Sequence, residues 1–240
     1  MYPRTRQAIF SDDYVERVRK MDEANLIGCW THGESTSAIA FDQSPQKNNG
    51  AYTAVALGRA GIGDGGTSAL FDGSASFNNI YSVASDFNGT EGGLLIWGKV
   101  SAAGVWEDST ARSLITLWAS NDNRLSINRT TTNNQIRFAY KAGGTLETYD
   151  LTISRTGWTA FGLTWSDTGD KVKYFENGVL KETDTGVGTW SGAVQAAASL
   201  IGASNSTPTQ VWSGFAGPAF LWKGVPSDTL IKEASTVRRA

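Results

Sequence analysis

The chain is poor in the residues that build redox and metal chemistry. A single cysteine, Cys29, and a single histidine, His32, stand among 240 residues. One thiol forms no intrachain disulfide, and one imidazole with one thiol falls short of a zinc ligand set. A nucleophile–base pair would have to use His32, and no G-x-S-x-G elbow offers a serine nucleophile. Charge is sparse as well: 18% of residues, with a formal net of -2. That leaves no basic footprint for DNA or RNA, and the Arg238-Arg239 tail reads as solvated. No run of about 18 apolar residues exists to form a membrane-spanning helix. Nor does the opening, Met1 to Arg6, lead into the apolar stretch of a secretory signal.

What is present is glycine, tryptophan and short apolar runs. The 27 glycines are scattered, as in a protein of many turns, and nine tryptophans with 40% apolar residues supply a core. The stretch from Lys171 to Leu180 holds two strand-like runs around Asn177-Gly178, a dipeptide suited to a tight hairpin. Leu94 to Val100, Ser113 to Trp118, Arg124 to Asn128 and Trp158 to Trp165 have strand length. Gln135 to Lys141 alternates strictly, with Ile136, Phe138 and Tyr140 on one face. Strands recurring every 8–12 residues or so, without helices between them, predict an antiparallel sandwich. No break in composition divides it.

Helices are expected only at the ends. Residues 11–24 carry Ser11 as a cap, Asp12 and Asp13 at the positive end, and Tyr14, Val18 and Met21 along one side. This helix would cover the open end of the sandwich or dock on a neighbouring subunit. Ser227, Leu230, Ile231, Ala234 and Val237 predict a second helix over 227–238. The domain reading is thus a helical arm at 1–24 and a sandwich at 25–240.

Several motifs imitate chemistry. Gly61 to Gly66 matches G-x-G-x-x-G, but no amphipathic helix follows to meet a pyrophosphate, so it reads as a loop. Gly93 to Lys99 imitates a phosphate loop with a strand-like interior. Glu182-Thr-Asp184 begins the Glu-x-Asp-x-x-Glu arrangement of laminarinase-like enzymes, yet Val187 ends it. The sequons at Asn88, Asn128 and Asn205 mark polar loops. Trp106, Trp190 and Trp212 lie beside small polar residues and are candidate sugar platforms. Trp97, Trp118, Trp158 and Trp165 lie in strands and read as core.

Taken in order, the pieces resemble the laminin-G-like, concanavalin-A-like jelly-roll family over about residues 25–235. They are Leu26 to Trp30, then Asp42-x-Ser44-x-x-x-Asn48-x-Gly50, Phe71-Asp72-Gly73, Trp158 to Trp165, Asn177-Gly178-Val179, Ile201-Gly202 and Ser213-Gly214-Phe215. The resemblance implies an all-β, two-sheet antiparallel jelly-roll sandwich with a short helix near each terminus. Gly58 to Gly65 and Val100 to Trp106 look most similar to modules of tailed-phage virion proteins. That implies a non-enzymatic virion subunit, decorating a capsid or attached to a tail. It would be oligomeric in the assembly and docked on other virion proteins through its terminal segments. It would reside in a particle built in host cytoplasm, where a lone thiol stays reduced. The alternative is a carbohydrate-binding adhesion module at an extracellular surface, and a glucanase-like hydrolase comes third. Many members hold calcium near the Asp42–Gly50 loop, which makes Asp42 and Asn48 the candidate ligands. The family's later acidic position is occupied here by Ala216-Gly217-Pro218.

Overall fold

A computed structural model describes residues 11–237 of the chain. Helix α1 (Ser11–Met21) comes first, followed by β1 (Leu26–Trp30), β2 (Ile39–Ala40), β3 (Gly50–Thr53), β4 (Ala56–Ala60), β5 (Thr67–Asp72) and β6 (Phe77–Asn79). The longer strands follow: β7 (Glu91–Val100), β8 (Arg112–Ser120), β9 (Asn123–Arg129), β10 (Gln135–Ala142) and β11 (Thr145–Thr152). Next are β12 (Thr159–Ser166), β13 (Lys171–Glu176), β14 (Val179–Asp184), β15 (Ser199–Ile201), β16 (Ser213–Trp222) and helix α2 (Asp228–Ala234).

The strands form two antiparallel sheets. The first runs β14-β13-β12-β7-β16-β5-β4 with β1 also on β16, and the second runs β11-β10-β9-β8-β15-β6-β3-β2. Between them lies a core of Trp30, Phe71, Phe138, Phe161, Trp165 and Trp212 with aliphatic neighbours. Alternation explains the second sheet: in β9, Leu125 and Ile127 are buried while Arg124, Ser126 and Asn128 are half-buried. Ile136, Phe138 and Tyr140 of β10 face the core as their spacing predicts. The β13–β14 hairpin turns at Asn177 and Gly178, both at positive φ (49° and 75°), which is the primed geometry matching strand twist. A Cβ on Gly178 would lie 2.7 Å from Cα of Lys232, so the turn also seats α2.

The run Leu94 to Trp97 is apolar on both faces because both faces are covered. Leu94 and Ile96 join the inner core, whereas Leu95 and Trp97 meet Tyr14, Val15, Val18, Leu230, Ile231 and Ala234 on the outer face of the first sheet. Trp97 Nε1 donates to the Tyr14 hydroxyl at 2.9 Å, that hydroxyl donates to the Ala234 carbonyl, and Arg17 pairs with Glu233 at 2.6 Å. Burial raises the Tyr14 phenol well above its ordinary value.

The helix expected over 11–24 ends at Met21 and lies on a sheet face rather than at an open end of the sandwich. Tyr14 and Val18 face inward as expected. Met21 is exposed and Val15 takes its place, because a helix lying flat on a sheet buries a broader stripe. The side chains of Ser11, Asp12 and Asp13 lie outside the described residues, as does Arg238. Ser227 caps α2 by accepting from Leu230 N at 3.1 Å. The helix ends at Ala234, short of the expected 238, and the Ser235 hydroxyl donates to the Ile231 carbonyl at 2.8 Å.

Candidate functional site

Strand β16 changes partner midway, and the change fixes the chain's one histidine. Ser213 to Ala216 pair with β5 and Ala219 to Trp222 pair with β1, with the register shift at Gly217-Pro218 between them. Proline cannot donate to a ladder and belongs at such an irregularity. The Gly217 carbonyl accepts from His32 Nδ1 at 2.7 Å, and Asn78 Nδ2 donates to His32 Nε2 at 3.3 Å. His32 is fully buried, and burial holds its pKa below the ordinary 6.5. Cys29 is buried too, and burial raises its thiol pKa beyond the ordinary range. Both are packed groups shut off from any substrate.

A pH dependence follows. The unfolded chain binds the His32 proton more readily than the folded one, so stability is complete above about pH 6.5 and is lost as pH falls below it. The slope is up to ~1.4 kcal/mol per pH unit. His32→Asn tolerates the positive φ of 53° at this position and is expected to flatten that acid limb in urea titrations at stepped pH.

Trp106, Trp190 and Trp212 are all buried (2%, 7% and 0% exposed), which sets them aside as sugar platforms. Trp106 Nε1 donates to the Arg155 carbonyl at 2.8 Å, and its ring meets Trp212 edge-on at 6.3 Å. Trp190 stacks on Tyr140 at 6.0 Å. Their small polar neighbours let the loops fold the rings back into the core, so the flanking sequence reports the loop and not the ring.

The calcium expectation also meets a different arrangement. Asp42 Oδ1 accepts from Cys29 N (2.7 Å) and Ser44 N (2.8 Å); Oδ2 accepts from Ser44 Oγ (2.5 Å) and Asn48 N (2.6 Å). Asn48 Nδ2 donates to the Ile27 carbonyl and to Asp86 Oδ2, both at 2.9 Å. The carboxylate is thus occupied by protein hydrogen atoms, and the residues do not fit a calcium ion. Among the described residues no group of three or more His, Cys, Asp or Glu could hold a metal. Asp42 and Asn48 instead knot the segment 42–50 to β1.

Glu182 and Asp184 stand on β14 at the edge of the first sheet, where Asp184 accepts from the Tyr174 hydroxyl at 3.0 Å. Gly61 to Gly66 is a loop before β5, and Gly93 to Lys99 lies within β7. Asn128, both the end of the strand-like run from Arg124 and one of the sequons read as polar loops, lies in β9.

A groove of about 570 Å³ opens on the outer face of the second sheet. Its floor is the outward row of β8 and β9, where Thr116 pairs with Ser126, Trp118 with Arg124 and Ser113 with Asn128. One wall is the 195–198 segment, held by Gln195 N on the Trp118 carbonyl (2.8 Å). The other is the 204–210 loop, closed by Ser204 N on the Thr209 carbonyl (3.1 Å) and tied to β8 by Ser113 N on the Gln210 carbonyl (2.6 Å). Asn205 Nδ2 donates to Thr209 Oγ1 at 2.8 Å, while its shielded Oδ1 has no partner among the described residues. The Arg124 guanidinium lies 5.0 Å from the centre of the Trp118 ring. Hydroxyls, amides and one aromatic thus line the groove, and no carboxylate does. A second cleft, about 270 Å³ between α1 and the Gly61–Gly66 loop, has its Glu34 occupied by the Tyr52 hydroxyl and Phe41 N.

Trp118 was read as core, and the structure turns it outward. The ladder slips between Ser113 and Ile115, so Leu114 and Ile115 are both buried and the alternation of β8 changes phase. Counted without that slip, Trp118 shares a face with Leu114. The partner strand held the signal, because Trp118 lies opposite the polar row Arg124, Ser126 and Asn128.

Known structures share this architecture. Domain 4 of AbnA, a GH43 extracellular arabinanase from Geobacillus stearothermophilus, in complex with arabinotriose, superposes with a TM-score of 0.64 at 14% identity, covering 88% of this chain and 98% of that one. The CBM40 of the Ruminococcus gnavus IT-sialidase bound to α2,3-sialyllactose gives 0.56 at 14%, covering 70% and 96%. The botulinum neurotoxin serotype D binding domain gives 0.63 at 11%, covering 89% of this chain and 52% of that one. No protein-family model and no curated protein matches the chain. At these identities the likeness shows the fold alone, a two-sheet antiparallel jelly-roll sandwich.

Proposed function

We propose that the chain is a carbohydrate-binding module that attaches to a glycan-bearing surface through the groove over β8 and β9. The observation that carries this reading is the make-up of the floor. Thr116, Ser126 and Asn128 present hydroxyl and amide groups beside a half-buried tryptophan, all on rigid strands. Sugars offer the complement, hydroxyls around apolar C–H faces. Two of the structures above contain oligosaccharides, arabinotriose and sialyllactose, which supports the reading at the level of the fold. Glycoside hydrolysis canvasses two carboxyl groups across the scissile bond, and the groove lining contains none, which favours binding over cleavage.

Titration against a panel of soluble polysaccharides tests the proposal. Trp118→Ala and Asn128→Ala are each expected to weaken the tightest ligand about 10- to 30-fold while leaving the far-UV spectrum unchanged. Failure of every polysaccharide to bind, or undiminished binding by both variants, would remove the groove as the site.

The virion reading, a capsid-decorating or tail-attached subunit, ranks second. It relies on terminal segments free to dock, whereas Tyr14, Val18, Leu230 and Ile231 are committed to the chain's own first sheet. On the same ground we place α1 with the sandwich rather than in a separate arm at 1–24.

A further inference from the structure

The outer face of the second sheet carries three cations in neighbouring positions, and two of them are neutralised. Lys141 lies opposite Arg124 across the β9–β10 ladder and pairs with Asp122 at 3.0 Å. Arg137 holds Asp150 through two hydrogen bonds of 2.7 Å. Arg124 has no carboxylate partner among the described residues. Most other arginines do: Arg17 meets Glu233, Arg19 meets Glu16, Arg112 and Arg129 meet Asp108, and Arg155 meets Glu176. Among the described arginines the other exception is Arg59, exposed on the edge strand β4 and not part of this groove.

Arg124 is nevertheless held in place. Its Nη1 donates to the Asn121 carbonyl, its Cζ sits over the Trp118 ring, and the residue lines the groove. Contacts with an indole and one carbonyl remove much of the rotational freedom a surface arginine keeps, while Nε and Nη2 have no acceptor among the described residues. A guanidinium fixed in this way offers a planar fork that fits a carboxylate, in a groove with no acidic residue to compete for it.

We infer that the sugar bound in this groove carries a carboxylate, received by Arg124. The inference rests on the carbohydrate reading above and narrows it to acidic glycans, either uronic acid polymers or sialylated chains. Trp118 then acts on two partners, holding the guanidinium and contributing the remaining ring surface to the floor.

The test uses the whole chain and matched ligands. Affinity is measured for polygalacturonate, for the same polymer after carboxyl reduction, for a sialylated oligosaccharide, and for its desialylated form. Binding to one acidic member with loss on reduction or desialylation is expected, and which pair responds tells uronate from sialate. Arg124→Gln should lower that affinity roughly 10- to 100-fold, with Arg124→Lys intermediate and the wild-type affinity falling as salt rises. Thermal melts of both variants show whether the fold is kept. Equal binding to an acidic glycan and its neutral counterpart, unaffected by Arg124→Gln but lost in Asn128→Ala, would overturn the acidic inference and leave the groove as a neutral sugar site. Absence of binding to all four ligands and to the wider polysaccharide panel would overturn both.

Discussion

Asp42→Ala is expected to cost about 3–5 kcal/mol of folding stability, with no compensating role for calcium. The substitution removes one carboxylate and strands four donors: Cys29 N, Ser44 N, Ser44 Oγ and Asn48 N. Three of these are main-chain groups that cannot turn away, and the side chain they surround is only 3% exposed. The knot also positions Asn48, whose carbonyl accepts from Trp30 Nε1 at 2.9 Å, so the loss reaches a fully buried core tryptophan. Asp42→Asn keeps the shape but sets an amide NH2 against donors, and an intermediate loss is expected. Urea unfolding with and without millimolar calcium is the measurement. A calcium-dependent midpoint in the wild type that vanishes in Asp42→Ala would show a metal ligand instead of a hydrogen-bonded corner.

Val18→Asp is the second large effect, again about 3–5 kcal/mol, and it arises in the cluster between α1 and the first sheet. Val18 is wholly buried between α1 and a surface that includes Leu95, Trp97, Phe220 and Trp222. No cation is placed to receive a carboxylate there, since Arg17 is engaged with Glu233 and Arg19 with Glu16. Detachment of α1 would uncover an aromatic sheet face, so binding of a hydrophobic dye should rise as the unfolding midpoint falls. Met21→Asp, on the same helix but at a 42% exposed position, is the control, and a change within about 0.5 kcal/mol is expected. Equal, small effects at both positions would mean that α1 contributes little to the fold.

The two-sheet architecture was legible because its signals are local and periodic. Gln135 to Lys141 alternates without interruption, and Asn177-Gly178 can close its hairpin at positive φ with little strain. Ser227 announces α2 one residue before it begins. The groove was less legible for two physical reasons. The slip between Ser113 and Ile115 inverts the faces of β8 as far as Trp118, where the ladder shifts again, and no composition rule announces such slips. The walls come from the 195–210 region, whose one strand, the three-residue β15, is too short to show an alternating pattern. Trp106 and Trp190 misled for the converse reason. A ring beside glycine or serine can fold inward when its indole N–H finds a carbonyl, as Arg155 and Gly192 provide.

Both helices lie on one broad side of the molecule, and the groove opens on the other. The described polypeptide therefore enters and leaves at the back, with two sheet thicknesses between those ends and the face that carries the groove. A fluorescent label, an immobilising tag or another domain attached where the described residues begin or stop would start behind the plane of the groove. Surface-immobilised protein coupled through its ends should then keep its front available to solution, whereas random coupling through lysine, with Lys141 beside the groove, should block part of it.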